Sequence, residues 1–161
     1  MKNKQVLFLT QGAIIAAIYV VLTVVFAPIS FSEIQVRISE ALTILPFFTP
    51  AAVPGLFVGC LLANILGGAI LPDIIFGSLA TLIGAVFSYL LRKNKYLVPV
   101  PPIVANTIIV PFVLRFGYGV NLPIPLMMLT VGIGEIISCG VLGMVLLFAL
   151  DKNKELIFRT V

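Results

Sequence analysis

With 161 residues, 61% of them hydrophobic and only 10% charged, the chain lies far from soluble domains, which average about 45–50% apolar and about 25% charged residues. A mean hydropathy of +1.23 agrees. The net charge of +4 is dispersed around apolar runs and so excludes a nucleic-acid footprint.

In chain order, the first apolar run is Leu7–Ala27, preceded by Lys2 and Lys4. A signal peptide's apolar core is about 7–15 residues, and here Pro28 follows where cleavage would fall, so the run is expected to be a retained first helix. The segment Ile29–Ser39 reads as a polar loop. A second span runs from Glu40 to about Ala52, short and kinked by Pro46 and Pro50, and Pro54-Gly55 is expected to form a turn. The remaining spans are Leu56–Ile70, Ile74–Leu91, Leu97–Phe116, its start distorted by Pro99, Pro101 and Pro102, and Pro125–Leu150. Cys60 and Cys139 fall inside spans and read as small core residues, not a disulfide.

Region 41–70 could be one broken helix or two, and charge decides between them. Three basic clusters exist: Lys2 and Lys4, then Arg92, Lys93 and Lys95, then Lys152, Lys154 and Arg159. Six spans place all three on the cytoplasmic side, as the positive-inside rule favours, whereas five would put at least one outside. The expected fold is therefore an all-α integral membrane protein of six transmembrane helices. Both termini are cytoplasmic, and residues 1–161 form one multi-pass domain of the cell membrane.

That topology turns Gln35, Arg37, Glu40, Asp73 and Arg115 outward. It sets Glu135 about ten residues into the last span, in the outer half of the bilayer at about 1.5 Å rise per residue. Asn64 and Asn106 are expected near mid-membrane. The polar residues thus converge on one half, as in a pocket open to the outside.

Glu135 is the strongest single candidate, because a carboxylate within a span costs several kcal/mol unless paired or hydrated. It can accept two parallel hydrogen bonds, matching the N–H/NH2 edge of a guanine-like base. The competing readings are a structural ion pair with Arg37 or Arg115, or a protonated side chain bonded across helices. Arg37 and Glu40 form either a ligand clamp or a loop ion pair, and Ser39-Glu40 also fits a capped helix start. Gln35 closes a capping-box pattern from Ser32. Asn64 and Asn106 suit interhelical hydrogen bonds equally well. Asp73, after Pro72, suits the first turn of a helix. Phe31, Phe112, Phe116 and Tyr118 could stack a planar ligand or form an interface belt. Ala13 and Ala17 share a helix face and admit close approach of another helix.

There is no histidine, no phosphate-binding glycine loop, no Cys-x-x-Cys pair and no triad-like set. An enzyme is not expected, nor is a cofactor. The open alternatives are a self-sufficient six-helix carrier, against which the lack of repeated halves speaks, and an assembly protein with purely structural polar residues.

The stretch Gln35-Val-Arg-Ile-Ser-Glu-Ala-Leu-Thr-Ile-Leu-Pro46, with six short spans and Ala13/Ala17 in the first, resembles the QueT family of queuosine-precursor transporters. These are substrate-binding (S) components of energy-coupling factor (ECF) transporters. The resemblance implies capture of a 7-deazaguanine on the outer side: the 7-cyano or 7-aminomethyl precursor, or queuine. It implies a transmembrane T component, docked on Ala13 and Ala17, and two ABC-type ATPases that topple the S component. Glu135, Asn106 and Gln35 can supply a guanine-like edge, and an aminomethyl cation would want a second acid, Glu40 or Asp73. Another vitamin-like ligand for the same kind of S component is the nearest alternative.

Overall fold

The computed structural model describes residues 2–26 and 36–158, and Gln35, Phe31, Ser32 and Arg159 lie outside them. All regular structure among the described residues is helical. Helix α1 is Lys2–Val25. A 3-10 helix, Ile38–Phe47, follows, then α2, Ala52–Leu66, and α3, Leu71–Leu90. Helix α4 spans Val100–Gly117 and α5 spans Ile124–Asp151, and a single turn, α6, closes the described chain at Lys154–Ile157. Four of these, α1, α3, α4 and α5, are long and apolar enough to cross a membrane; the 3-10 helix and α2 are apolar but shorter.

Prolines set several starts. Pro54 lies in the first turn of α2, not in a turn between helices as the Pro-Gly pair suggested. Prolines likewise occupy the first turns of α3, α4 and α5. The N–H that proline lacks would have no intrahelical partner there, so it starts these helices cleanly instead of distorting them. Within α4, Pro111 does remove an interior donor, and the backbone widens into a π turn over Val113–Gly117. A second π segment, Ile136–Leu142, interrupts α5 directly after Glu135.

The passages alternate in direction. Asn64 near the end of α2 donates to the Asp73 carbonyl at the start of α3 (3.4 Å), and Tyr118 just past α4 reaches the Asp73 carboxylate (3.0 Å), so these termini share one end of the bundle. At the other end, Phe48 stacks on Phe158 with centroids 4.8 Å apart. Lys95, in the α3–α4 connection, lies 4.8 Å from the Phe148 ring of α5. The Arg92–Lys95 turn and Lys152–Lys154 thus gather at that second, basic end.

Helices α1 and α2 meet nearly backbone to backbone. A Cβ on Gly55 would lie 2.7 Å from the Gly12 carbonyl oxygen, and one on Gly59 would lie 2.9 Å from the Tyr19 Cβ. Gly12/Ala16 and Gly55/Gly59 are therefore the small-xxx-small pairs that join the bundle internally. Ala13 and Ala17, one residue further round α1, are exposed beside Leu9, Ile14 and Val21.

Each residue from Ser39 to Pro46 of the 3-10 helix is buried. It packs on α1, α3 and the C-terminal half of α5. Runs of 3-10 helix beyond about 3–4 residues are uncommon, because the hydrogen bonds are poorer and side chains at i and i+3 eclipse. Here the eclipsed geometry puts Glu40 and Thr43 on one row, and the Thr43 hydroxyl donates to the Glu40 carbonyl (2.6 Å). Burial on several sides holds the segment in this form.

Candidate functional site

The inner face of α1 carries Tyr19 and Thr23, four residues apart, after Gly12 and Ala16. Thr23 donates back to the Tyr19 carbonyl (2.9 Å) and, by its hydroxyl, contacts Ser39 Oγ (2.7 Å). Ser39 is therefore a partner of α1 and not a helix cap; the residue at the cap position is Arg37, with no capping side chain. The Tyr19 hydroxyl donates to Glu40 Oε1. Tyr19 and Glu40 are each 1% exposed.

Glu40 meets α5 on its other side. Carboxylate oxygens of Glu40 and Glu135 and the Cys139 sulfur all lie within 4.8 Å of one another. The Cys139 thiol donates to Glu135 Oε2 (3.2 Å) and contacts the Glu40 carbonyl oxygen (3.5 Å). The π segment that begins at Ile136 carries Ser138 and Cys139, both fully buried. Such widened turns frequently occur where a side chain must be re-aimed at a functional position. From α4, the Asn106 amide lies within hydrogen-bonding reach of both Glu40 and Glu135.

A second set adjoins the first at the Asp73 end. Arg37 Nη2 lies 3.8 Å from Asp73 Oδ2, and the Tyr118 hydroxyl donates to the same oxygen at 3.0 Å. Asn64 anchors the Asp73 backbone and approaches Cys60, which also receives the Thr81 hydroxyl at 3.3 Å. Tyr118 sits just beyond the α4 span, where burial, then the Asp73 carboxylate, push its phenol above the ordinary value of 10.0.

Of the residues singled out in the sequence, Glu40, Asn106 and Glu135 thus form one buried layer, and Arg37, Asn64 and Asp73 a second. Gln35 lies outside the described residues. Three expectations need correction. Glu40 is not in an outward loop above Glu135 but level with it, because the 3-10 helix enters the interior from its first turn. The ion pair of Arg37 is with Asp73, not Glu40 or Glu135. Asn64 is in the last turn of α2, not halfway along a span, because that helix starts and ends about four residues earlier than expected. Arg115 donates to the Val120 carbonyl (3.1 Å), away from Glu135.

Phe112 and Phe116 stack on each other and, with Phe76 and Ile108, line an apolar groove on the bundle exterior instead of facing the acids. Tyr19, Thr23, Thr81 and Cys139 were missed as site residues. The Gly12, Ala16, Tyr19, Thr23 face of α1, at helical spacing, was the available signal for two of them.

The fold and this polar centre together define a multi-pass membrane protein whose buried charged side chains, among the described residues, gather at one interior locus. The model of the QueT transporter family matches residues 9–152, and the chain belongs to that family, one of transporters and not of enzymes. A relative from Lactococcus lactis subsp. cremoris (strain MG1363), the queuosine precursor transporter QueT, is 35% identical over 85 residues. The match covers 52% of this chain and spans 50% of that relative's length. No solved structure matches the chain.

Proposed function

We propose that the chain is the substrate-capture S component of an ECF-type importer for a queuosine precursor of the 7-deazaguanine class. The single observation that carries this reading is the buried layer of Glu40, Asn106 and Glu135, set in a chain of the QueT transporter family. A planar base presenting N–H donors along one edge is matched by Glu135 and Asn106, with Gln35 assigned to the same edge from its place in the sequence. Arg37, Asn64 and Asp73 form the adjoining wall.

Residues 1–161 act as one domain that crosses the membrane six times, the 3-10 helix and α2 being two short crossings. The gathering of basic side chains at one end supports cytoplasmic termini and a site reached from the opposite side. Transport requires a T component and two ABC-type ATPases, with Ala13 and Ala17, exposed on α1, as the docking face.

The test is calorimetric titration of the purified protein with 7-deazaguanines in the absence of ATP, followed by uptake in liposomes. The expected result is tight binding by the chain alone and uptake only with the partner subunits and ATP. Uptake by the chain alone would favour a self-sufficient carrier, and no binding would end the base reading.

A further inference from the structure

Away from the polar centre, the exterior of the α3–α4 pair carries two apolar cavities that run into each other. The one nearer Tyr118, about 470 Å3, is the groove lined by Phe76, Phe112 and Phe116. The other, about 400 Å3, lies between Ile83 and Phe87 of α3, Leu91 just beyond it, and Val100 and Val104 of α4. Ile108 borders both. Gly84 accounts for the hollow. A Cβ there would lie 2.7 Å from the Pro102 Cα, so the two backbones touch and the longer side chains beside them stand apart as walls. From Val100 to Ile108 the second cavity extends about 12 Å at about 1.5 Å rise per residue, close to half of a hydrocarbon core about 30 Å thick. It is a slot with the depth of one leaflet.

The mouth of this slot is basic. The chain leaves the wall at Leu91 and runs directly into Arg92, Lys93 and Lys95, and no acid occurs between Asp73 and Glu135. Arg92 lies over the Tyr89 ring at 4.0 Å, Lys95 lies over the Phe148 ring, and Lys93 is exposed. A ring face attracts a cation without cancelling its charge, and none of the three is in an ion pair among the described residues. Beside the other cavity stands a single cation, Arg115, which already donates to the Val120 carbonyl. We infer that the slot holds an acyl chain of an anionic glycerophospholipid, with the lipid phosphate on the Arg92–Lys95 turn. A zwitterionic lipid would fill the slot but leave the cations unmatched. A second copy in the same orientation would bring its own basic turn to the same level, where like charges repel. The assignment is independent of what binds at the acids.

The chain has no tryptophan, so a single one reports its own surroundings. Phe87→Trp puts that probe in the slot wall, and Val145→Trp puts it on an exposed face of α5 outside the slot. Each variant is reconstituted in phosphatidylcholine vesicles containing an increasing share of chain-brominated phosphatidylglycerol or, separately, chain-brominated phosphatidylcholine. At Phe87→Trp, the brominated phosphatidylglycerol is expected to reach half-maximal quenching at a share at least about threefold lower than the brominated phosphatidylcholine. At Val145→Trp the two should agree within about 1.5-fold. Adding Arg92→Gln, Lys93→Gln and Lys95→Gln together should bring the Phe87→Trp ratio within the same limit. Salt at about 1 M, where the Debye length is about 3 Å, should do so without any charge variant. Each ratio compares one variant with itself in two lipids, so a loss of stability does not move it. Equal quenching by both lipids at Phe87→Trp overturns the inference. An equal preference at both probes overturns it in favour of general attraction to the basic end. A preference that survives both the glutamines and the salt overturns the assignment of the phosphate. Shielding of Phe87→Trp from both lipids, beside full quenching at Val145→Trp, overturns it in favour of a second copy covering the slot.

Discussion

Replacing Gly59 by alanine tests whether the contact between α1 and α2 holds the polar centre in place. The added Cβ would stand 2.9 Å from the Tyr19 Cβ and 3.0 Å from the Ala16 Cα. Carbon atoms pack best at about 3.5–4.0 Å, so the two helices must separate by roughly 0.6–1 Å. Overpacking of this kind costs about 1–3 kcal/mol. The higher helix propensity of alanine offsets up to about 1 kcal/mol of that.

With a net cost of about 1–2 kcal/mol, at roughly 2–4 °C per kcal/mol for a chain of this size, the apparent midpoint should fall by about 2–8 °C. Cys60 and Cys139 are both fully buried, so a thiol-reactive fluorophore reports unfolding directly when scanned at a fixed rate. Gly132→Ala is the control, since its Cβ would meet only the Thr107 side chain at 3.4 and 3.5 Å, and it should be neutral or stabilising. Because Tyr19 moves with the strained contact, Gly59→Ala should also weaken ligand binding. A midpoint at or above wild type, with Gly132→Ala behaving the same way, would refute the packing argument.

Glu135→Ala should reduce affinity for the base by roughly 10–100-fold in calorimetry, the loss of one or two hydrogen bonds to a charged group, with the midpoint moving little once ligand is absent. An unchanged affinity would remove Glu135 from the site. The pair Ala13→Leu and Ala17→Leu places bulk on an exposed face, so ligand binding should persist while partner-dependent uptake falls at least about tenfold. Normal uptake would overturn the proposed docking of a T component on this face. The raised phenol of Tyr118 favours its neutral form in the folded protein, so its contribution to stability is complete below pH about 10 and is lost as pH rises through the folded value. Tyr118→Phe should flatten that alkaline loss in a series of thermal scans, and an identical slope in both proteins would contradict the Asp73 contact.

The long apolar runs of α1, α3, α4 and α5 were legible because 18 or more largely apolar residues admit few alternatives in water. The 3-10 helix was not. Pro46 and Pro50 suggested only a short kinked span, and the choice of 3-10 over α winding is made by neighbours on three sides, which no local pattern encodes. Glu40, Asn106 and Glu135 stood out as polar residues in hydrocarbon, yet their meeting in one layer depends on where the 3-10 helix enters. The partnership of Arg37 with Asp73 was hidden for a related reason. Arg37 and Glu40 are close in sequence, but the turn between them sends their side chains to different layers. Tyr19 escaped notice because a lone tyrosine in an apolar helix resembles an interfacial anchor.

Ala17 and Tyr19 are two residues apart on α1, one facing out and the other holding Glu40 from within. The backbone contact of Gly12 and Ala16 with α2 leaves that helix little freedom to roll independently of the body. Pressure applied at the exposed alanines is therefore delivered to the tyrosine hydroxyl and to the acid beneath it. If the proposed partner seats on this face and the proposed base on the acid layer, docking and occupancy become thermodynamically linked. By reciprocity, whatever factor one imposes on the affinity of the other is returned unchanged.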